Sequence, residues 1–136
     1  MAAAAATWVA NLGHMRSAVV SLVLDICCVL AFVTIGRHTH HDGDDLAGVW
    51  QTAWPFLTGL AVGLLATRAW RRPLAIVPSG LGAWLGAAVV GMLVRVLAGQ
   101  GTAAAFIVVT LAFLALFVLG WRVAARIVTT RLRAAH

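Results

Sequence analysis

The chain alternates between long apolar runs and short polar breaks, and the breaks define its elements. Four runs approach the ~20 residues that an α-helix needs to cross a bilayer core. They cover about residues 17–35, 46–67, 74–97 and 102–121. Between them lie a His/Asp segment at 36–45, a basic turn from Arg68 to Pro73, and a Gly99-Gln100-Gly101 turn. Such short connections make successive helices antiparallel neighbours. The expected fold is all-α, an integral membrane bundle of four transmembrane helices over 17–121, with an outer His/Asp loop at 36–45.

The flanks read differently. Residues 1–16 are Ala-rich with a lone Trp8, too short and too weakly apolar to span, and are expected to be disordered. Met15-Arg16, directly ahead of the first apolar run, resembles an alternative start to Met1. A signal peptide has an apolar core of roughly 7–15 residues and a small-residue cleavage site. The first run is longer, contains Asp25 and ends in Gly36-Arg37, so it is expected to stay as a helix. In the second run Asp44 or Asp45 is placed to cap the start. Pro55 removes one backbone bond there, predicting either a kink or a later start at Trp54. Residues 122–136 are expected to carry the fourth helix on as a basic cytoplasmic tail, with Arg122, Arg126 and Arg133 on one face.

Composition strengthens the membrane reading. The chain is 62% hydrophobic and only 10% charged, with a mean hydropathy of +0.98, against roughly 25% charged residues in ordinary soluble domains. It cannot cover a water-facing surface. All ten basic residues are Arg, and the net charge is +6. The arginines flank the apolar runs, where positive charge sets topology and meets anionic headgroups. No separate basic face exists for nucleic acid, which is therefore not an expected partner. One set of ends carries Arg16, Arg68, Arg71, Arg72, Arg122, Arg126, Arg131 and Arg133, and the other only Arg37 and Arg95. The excess marks the cytoplasmic side, giving an N-in/C-in topology with the His/Asp loop outside. Arg68, Arg71, Arg72, Arg122 and Arg126 are the expected contacts to anionic lipid headgroups.

Helices in lipid associate through close packing, not through a hydrophobic drive. Gly59-x-x-x-Gly63 and Gly82-x-x-x-Gly86 offer small-residue faces, and Ala87 with Gly91 extends a second one. These are expected seams, either inside the bundle or between subunits. Cys27 and Cys28 are adjacent in an apolar run and form no framework for a disulfide or a CxxC metal pair.

Two places invite chemistry. Asp25 lies inside the first span, where an ionised carboxylate costs on the order of 2.5–3.5 kcal/mol on insertion scales. It is a candidate proton or cation site with Arg95 as ion partner, or a carboxyl held by Thr58 or Thr110. At the outer end Arg37, His40 and His41 form a candidate site. His38, His40, His41, Asp42 and Asp44 form a pool of divalent-metal ligands, against which stands a plain solvated turn. Arg37 and Arg95 either face the loop's acids or receive an anionic lipid head or substrate. An intramembrane or metal-dependent enzyme is the least favoured class, since G-x-S-x-G, HExxH, Walker A and dinucleotide fingerprints are all absent from the sequence.

Gly36-Arg37-x-Thr39-His40-His41, Trp54-Pro55-Phe56, Gly91-Met92-Leu93-x-Arg95 and Gly120-Trp121-Arg122 together resemble a family of small prokaryotic membrane proteins, domain of unknown function 3054. The Ala/Arg-rich usage looks actinobacterial. The resemblance covers about residues 17–122 and implies a four-span protein of the bacterial cytoplasmic membrane. It brings no activity or ligand, but marks Asp25, Arg37, His40 and Arg95 for testing. Two functions follow as expectations. One is an accessory or structural subunit of a membrane assembly. The other is a small homo-oligomeric proton- or ion-coupled transporter or channel using Asp25.

Overall fold

The computed structural model describes residues 1–39 and 45–136. It contains four long helices: α1 (Ala2–Thr39), α2 (Leu46–Ala66), α3 (Ile76–Leu97) and α4 (Ala104–Ala134). All four are long and apolar enough to cross a membrane, and no strand occurs among the described residues.

α1 begins at Ala2 and not near Ser17. The segment expected to be disordered is helical, as a run of alanines favours. Its residues are all exposed. α2 starts at a cap in which the Gly48 N–H donates to Asp45 Oδ2 at 3.0 Å, and it runs unbroken through Pro55 to Ala66. α3 opens with Val77 extended at φ −117° and ψ 126°, the conformation favoured before proline. The Val77–Pro78 peptide is cis.

The helices run antiparallel. Phe32 of α1 stacks toward Phe106 and Phe113 of α4 at 6.2 and 5.4 Å between centroids, while Asp25 lies beside Trp121 and Arg122 further along α4. Both termini therefore leave from one end of the bundle. Phe32 also meets Phe56 of α2 edge-on at 5.3 Å, so one ring joins three helices. Each such aromatic pair contributes about 0.5–1.5 kcal/mol beyond the area it buries.

The glycine seams lie within the chain, between α2 and α3. A Cβ on Gly86 would lie 2.7 Å from the Gly63 Cα, and one on Gly59 would fall on the Gly86 carbonyl. Gly91 packs on Phe56 and Ala87 is fully buried, as the second small face requires. α2 and α3 touch backbone to backbone, and larger side chains attach α1 and α4. Trp84 of α3 adds a polar tie by donating its indole N–H to the Leu111 carbonyl of α4 at 2.9 Å. Phe56, Leu60, Leu114, Val118 and Val29 are buried in the middle of the bundle.

Candidate functional site

Polar side chains collect at the two ends of this packed interior. At the end where the termini leave, the Asp25 carboxylate faces the Arg122 guanidinium in a two-pronged pair. Nη1 donates to Oδ1 and Nη2 to Oδ2, both at 2.8 Å, and both side chains are completely buried. The Trp121 indole N–H donates to Oδ1 at 3.0 Å, and the guanidinium carbon lies 4.3 Å from the Trp121 ring. Arg122 Nε donates to the Pro73 carbonyl at 3.1 Å, and Nη1 also reaches the Val118 carbonyl at 3.2 Å. One guanidinium thus joins α4, α1 and the α2–α3 turn. That turn is fixed again by Ser79, whose hydroxyl donates to the Arg72 carbonyl at 2.6 Å.

Three sequence expectations change here. Asp25 does not pair with Arg95, which sits at the opposite end of the bundle. Neither Thr58 nor Thr110 holds Asp25, because each donates to its own helix, at Trp54 and Phe106 respectively. Arg122 is not a headgroup contact but the buried partner of Asp25. The physical reason is a low-dielectric setting in which a carboxylate is stable only beside a cation that also satisfies its oxygens. Arg68, Arg71, Arg72 and Arg126 remain exposed around this end. A cavity of about 360 Å³ lies against the pair, bordered by Ser21, Leu64, Trp70 and Pro73.

The other end is built around Pro55. Lacking an N–H, Pro55 leaves the Gln51 carbonyl, four residues earlier, without its helical donor. Gln100, from the α3–α4 turn, supplies the missing bond, with Nε2 donating to that carbonyl at 3.2 Å. Gln100 Oε1 in turn accepts from Arg95 Nη1 at 2.8 Å, and Arg95 Nη2 donates to the Gly101 carbonyl at 2.8 Å. Gly99, at φ +77°, lets the turn present both groups. The Arg95 guanidinium lies over Phe106, 4.9 Å from its centroid, and 5.7 Å from Phe56. From α1, Arg37 donates to Thr52 Oγ1 at 3.1 Å and approaches Asp45 at 3.5 Å. Asp45 is largely exposed, so that ion pair contributes little.

Arg37, Arg95, Gln51, Thr52 and Gln100 line a cavity of about 890 Å³ together with the apolar side chains of Phe32, Val33, Phe106 and Val109. The sequence reading placed Arg37 and Arg95 at this end, and the structure brings them to one cavity. It missed Gln51, Thr52 and Gln100, whose signal was the proline four residues after Gln51. His40, His41, Asp42 and Asp44 lie outside the described residues. Among the described residues, His38 included, no three His, Cys, Asp or Glu side chains come together as a metal site.

Four antiparallel helices of membrane-spanning length, closed at one end by a buried ion pair, define a helical bundle of the multi-pass type. Within that class, the chain belongs to the DUF3054 family of proteins of unknown function, whose family model matches residues 22–125. The match includes Asp25, Arg37, Arg95, Trp121 and Arg122. No curated protein and no solved structure matches the chain.

Proposed function

We propose that this protein is an accessory or structural subunit of an assembly in a bacterial cytoplasmic membrane, with both termini in the cytoplasm. The observation that carries this reading is the state of Asp25. Both its oxygens are engaged by Arg122, one also by Trp121, and the residue is fully buried. A carboxylate used to carry protons or cations must exchange partners. Here it holds α1 to α4 through Arg122, which also reaches the α2–α3 turn, while the centre of the bundle is filled by side chains and a glycine seam. The arginine excess at the end where the termini leave supports the orientation.

Native mass spectrometry of the gently extracted protein, paired with proton flux in proteoliposomes, tests the function. The expected result is a distinct polypeptide co-purifying with the chain and no flux above that of empty vesicles. A homo-oligomer whose flux disappears in Asp25→Asn but survives in Trp121→Phe would establish the transporter reading instead. For orientation, a Cys-free variant carrying Leu46→Cys should react with an impermeant maleimide in intact cells. One carrying Thr129→Cys should react only after lysis, and the reverse pattern would invert the topology.

A further inference from the structure

We infer that the cavity between Arg37 and Arg95 is a binding site for an anionic amphiphile, an acidic headgroup on a hydrocarbon chain. The site lies at the membrane–water level whichever way the bundle faces, so it does not rest on the orientation or assembly role proposed above.

Three observations meet at this cavity. First, Arg37 and Arg95 approach it from different helices, Arg37 beside Thr52 and the exposed Asp45, and Arg95 held by the neutral groups of Gln100 and Gly101. Second, Arg95 has no carboxylate partner among the described residues, and its Nε is buried without a hydrogen-bond acceptor. A half-buried guanidinium laid against Phe106 and Phe56, with one nitrogen still without an acceptor, favours a negatively charged ligand beside it. Third, beside these polar groups the lining includes the hydrocarbon side chains of Phe32, Val33, Phe106 and Val109, a surface that suits an acyl chain. The cavity's 890 Å³ falls within the ~300–1,000 Å³ of typical ligand sites. That volume suits a headgroup with one chain. Arginine is the cation suited to this recognition, because its planar donors match phosphate and carboxylate oxygens in pairs.

The test uses the full chain in nanodiscs of equal phosphatidylglycerol and phosphatidylcholine, followed by release into native mass spectrometry. Wild type should retain phosphatidylglycerol in preference to phosphatidylcholine. Arg95→Gln and Arg37→Gln should each reduce that preference by about tenfold, the scale of one lost charge-assisted contact. Arg71→Gln, at the opposite end, should leave it unchanged. Because Arg95→Gln also loosens the α3–α4 turn, Val109→Trp serves as a second variant. It adds bulk to the apolar lining with both arginines intact and should also reduce retention. Lysophosphatidylglycerol should displace the bound lipid and inorganic phosphate should not. Displacement by inorganic phosphate alone would overturn the amphiphile assignment in favour of a free anion. Equal retention of the two lipids, or unaltered preference in both Arg95→Gln and Val109→Trp, would remove the site altogether. So would a preference that falls in Asp42→Asn/Asp44→Asn as far as in Arg95→Gln.

Discussion

Asp25 and Arg122 stand 97 positions apart in the chain and meet through two parallel hydrogen bonds of 2.8 Å, with neither side chain exposed. Removing one partner strands the other charge in a low-dielectric site, which costs about 3–5 kcal/mol in comparable buried pairs. Asp25→Ala and Arg122→Met should therefore each lower stability by about that amount. The double variant Asp25→Leu/Arg122→Met should recover most of the loss. Reversible unfolding in mixed micelles, analysed as a double-mutant cycle, checks this. Additive losses would show that the two charges are not coupled.

Trp121 contributes both a donor to Asp25 and a surface for the guanidinium. Trp121→Phe keeps the surface and deletes the donor, so it isolates the hydrogen bond. A bond to a charged acceptor contributes about 1.5–3 kcal/mol. The variant should lose stability within that range, clearly less than Asp25→Ala, in the same unfolding assay. A loss equal to that of Asp25→Ala would place the weight of the cluster on the indole.

The glycine seam separates close packing from mere helix composition. Gly63→Ala would drive a methyl into the Gly82 backbone, and Gly86→Ala one against Gly63. Overpacking of this kind typically costs 1–3 kcal/mol, and more when backbone must move. Gly120, in the interior of α4, meets nothing within 4 Å. Gly120→Ala should be neutral or stabilising by about 0.5–1 kcal/mol, through helix propensity alone. If all three behaved alike, the α2–α3 contact would not be as close as described.

Pro55 should control the α3–α4 turn at a distance. Pro55→Ala restores an N–H able to bond the Gln51 carbonyl, and Gln100 then loses its role as substitute donor. Hydrogen exchange at Gln100 and Gly101 should become several-fold faster, about as in Gln100→Leu, since opening of a segment follows its lost contacts. Unchanged exchange in Pro55→Ala would break the proposed link between the proline and Arg95.

Much of the architecture was legible in the order of residues, because hydrocarbon imposes so few solutions. Backbone groups must be satisfied within each segment, so apolar runs of membrane length become helices and their polar breaks become turns. The small-residue spacing of Gly59, Gly63, Gly82 and Gly86 likewise announced a seam, and the pair Asp44-Asp45 a helix cap, which the structure places on Asp45. Which surfaces would meet was not legible. A seam inside the chain and a seam between subunits have the same sequence pattern, and only the packing of α2 on α3 chose the first. The sequence offers Arg95, Thr58 or Thr110 as partners of Asp25 and not Arg122, because membrane depth is judged there from run boundaries. Those boundaries placed Arg122 outside the bilayer, as a headgroup contact. In the fold α4 continues past Arg122 to Ala134 and turns that side chain inward against α1 and Pro73, since a buried carboxylate is stable only where a cation completes its hydrogen bonds. The convergence of Arg37 with Arg95, and the bond from Gln100 to the carbonyl left free by Pro55, were also decided only by tertiary structure. Sequence periodicity reports which way one helix faces, whereas a site requires the rotation and height of several helices relative to one another.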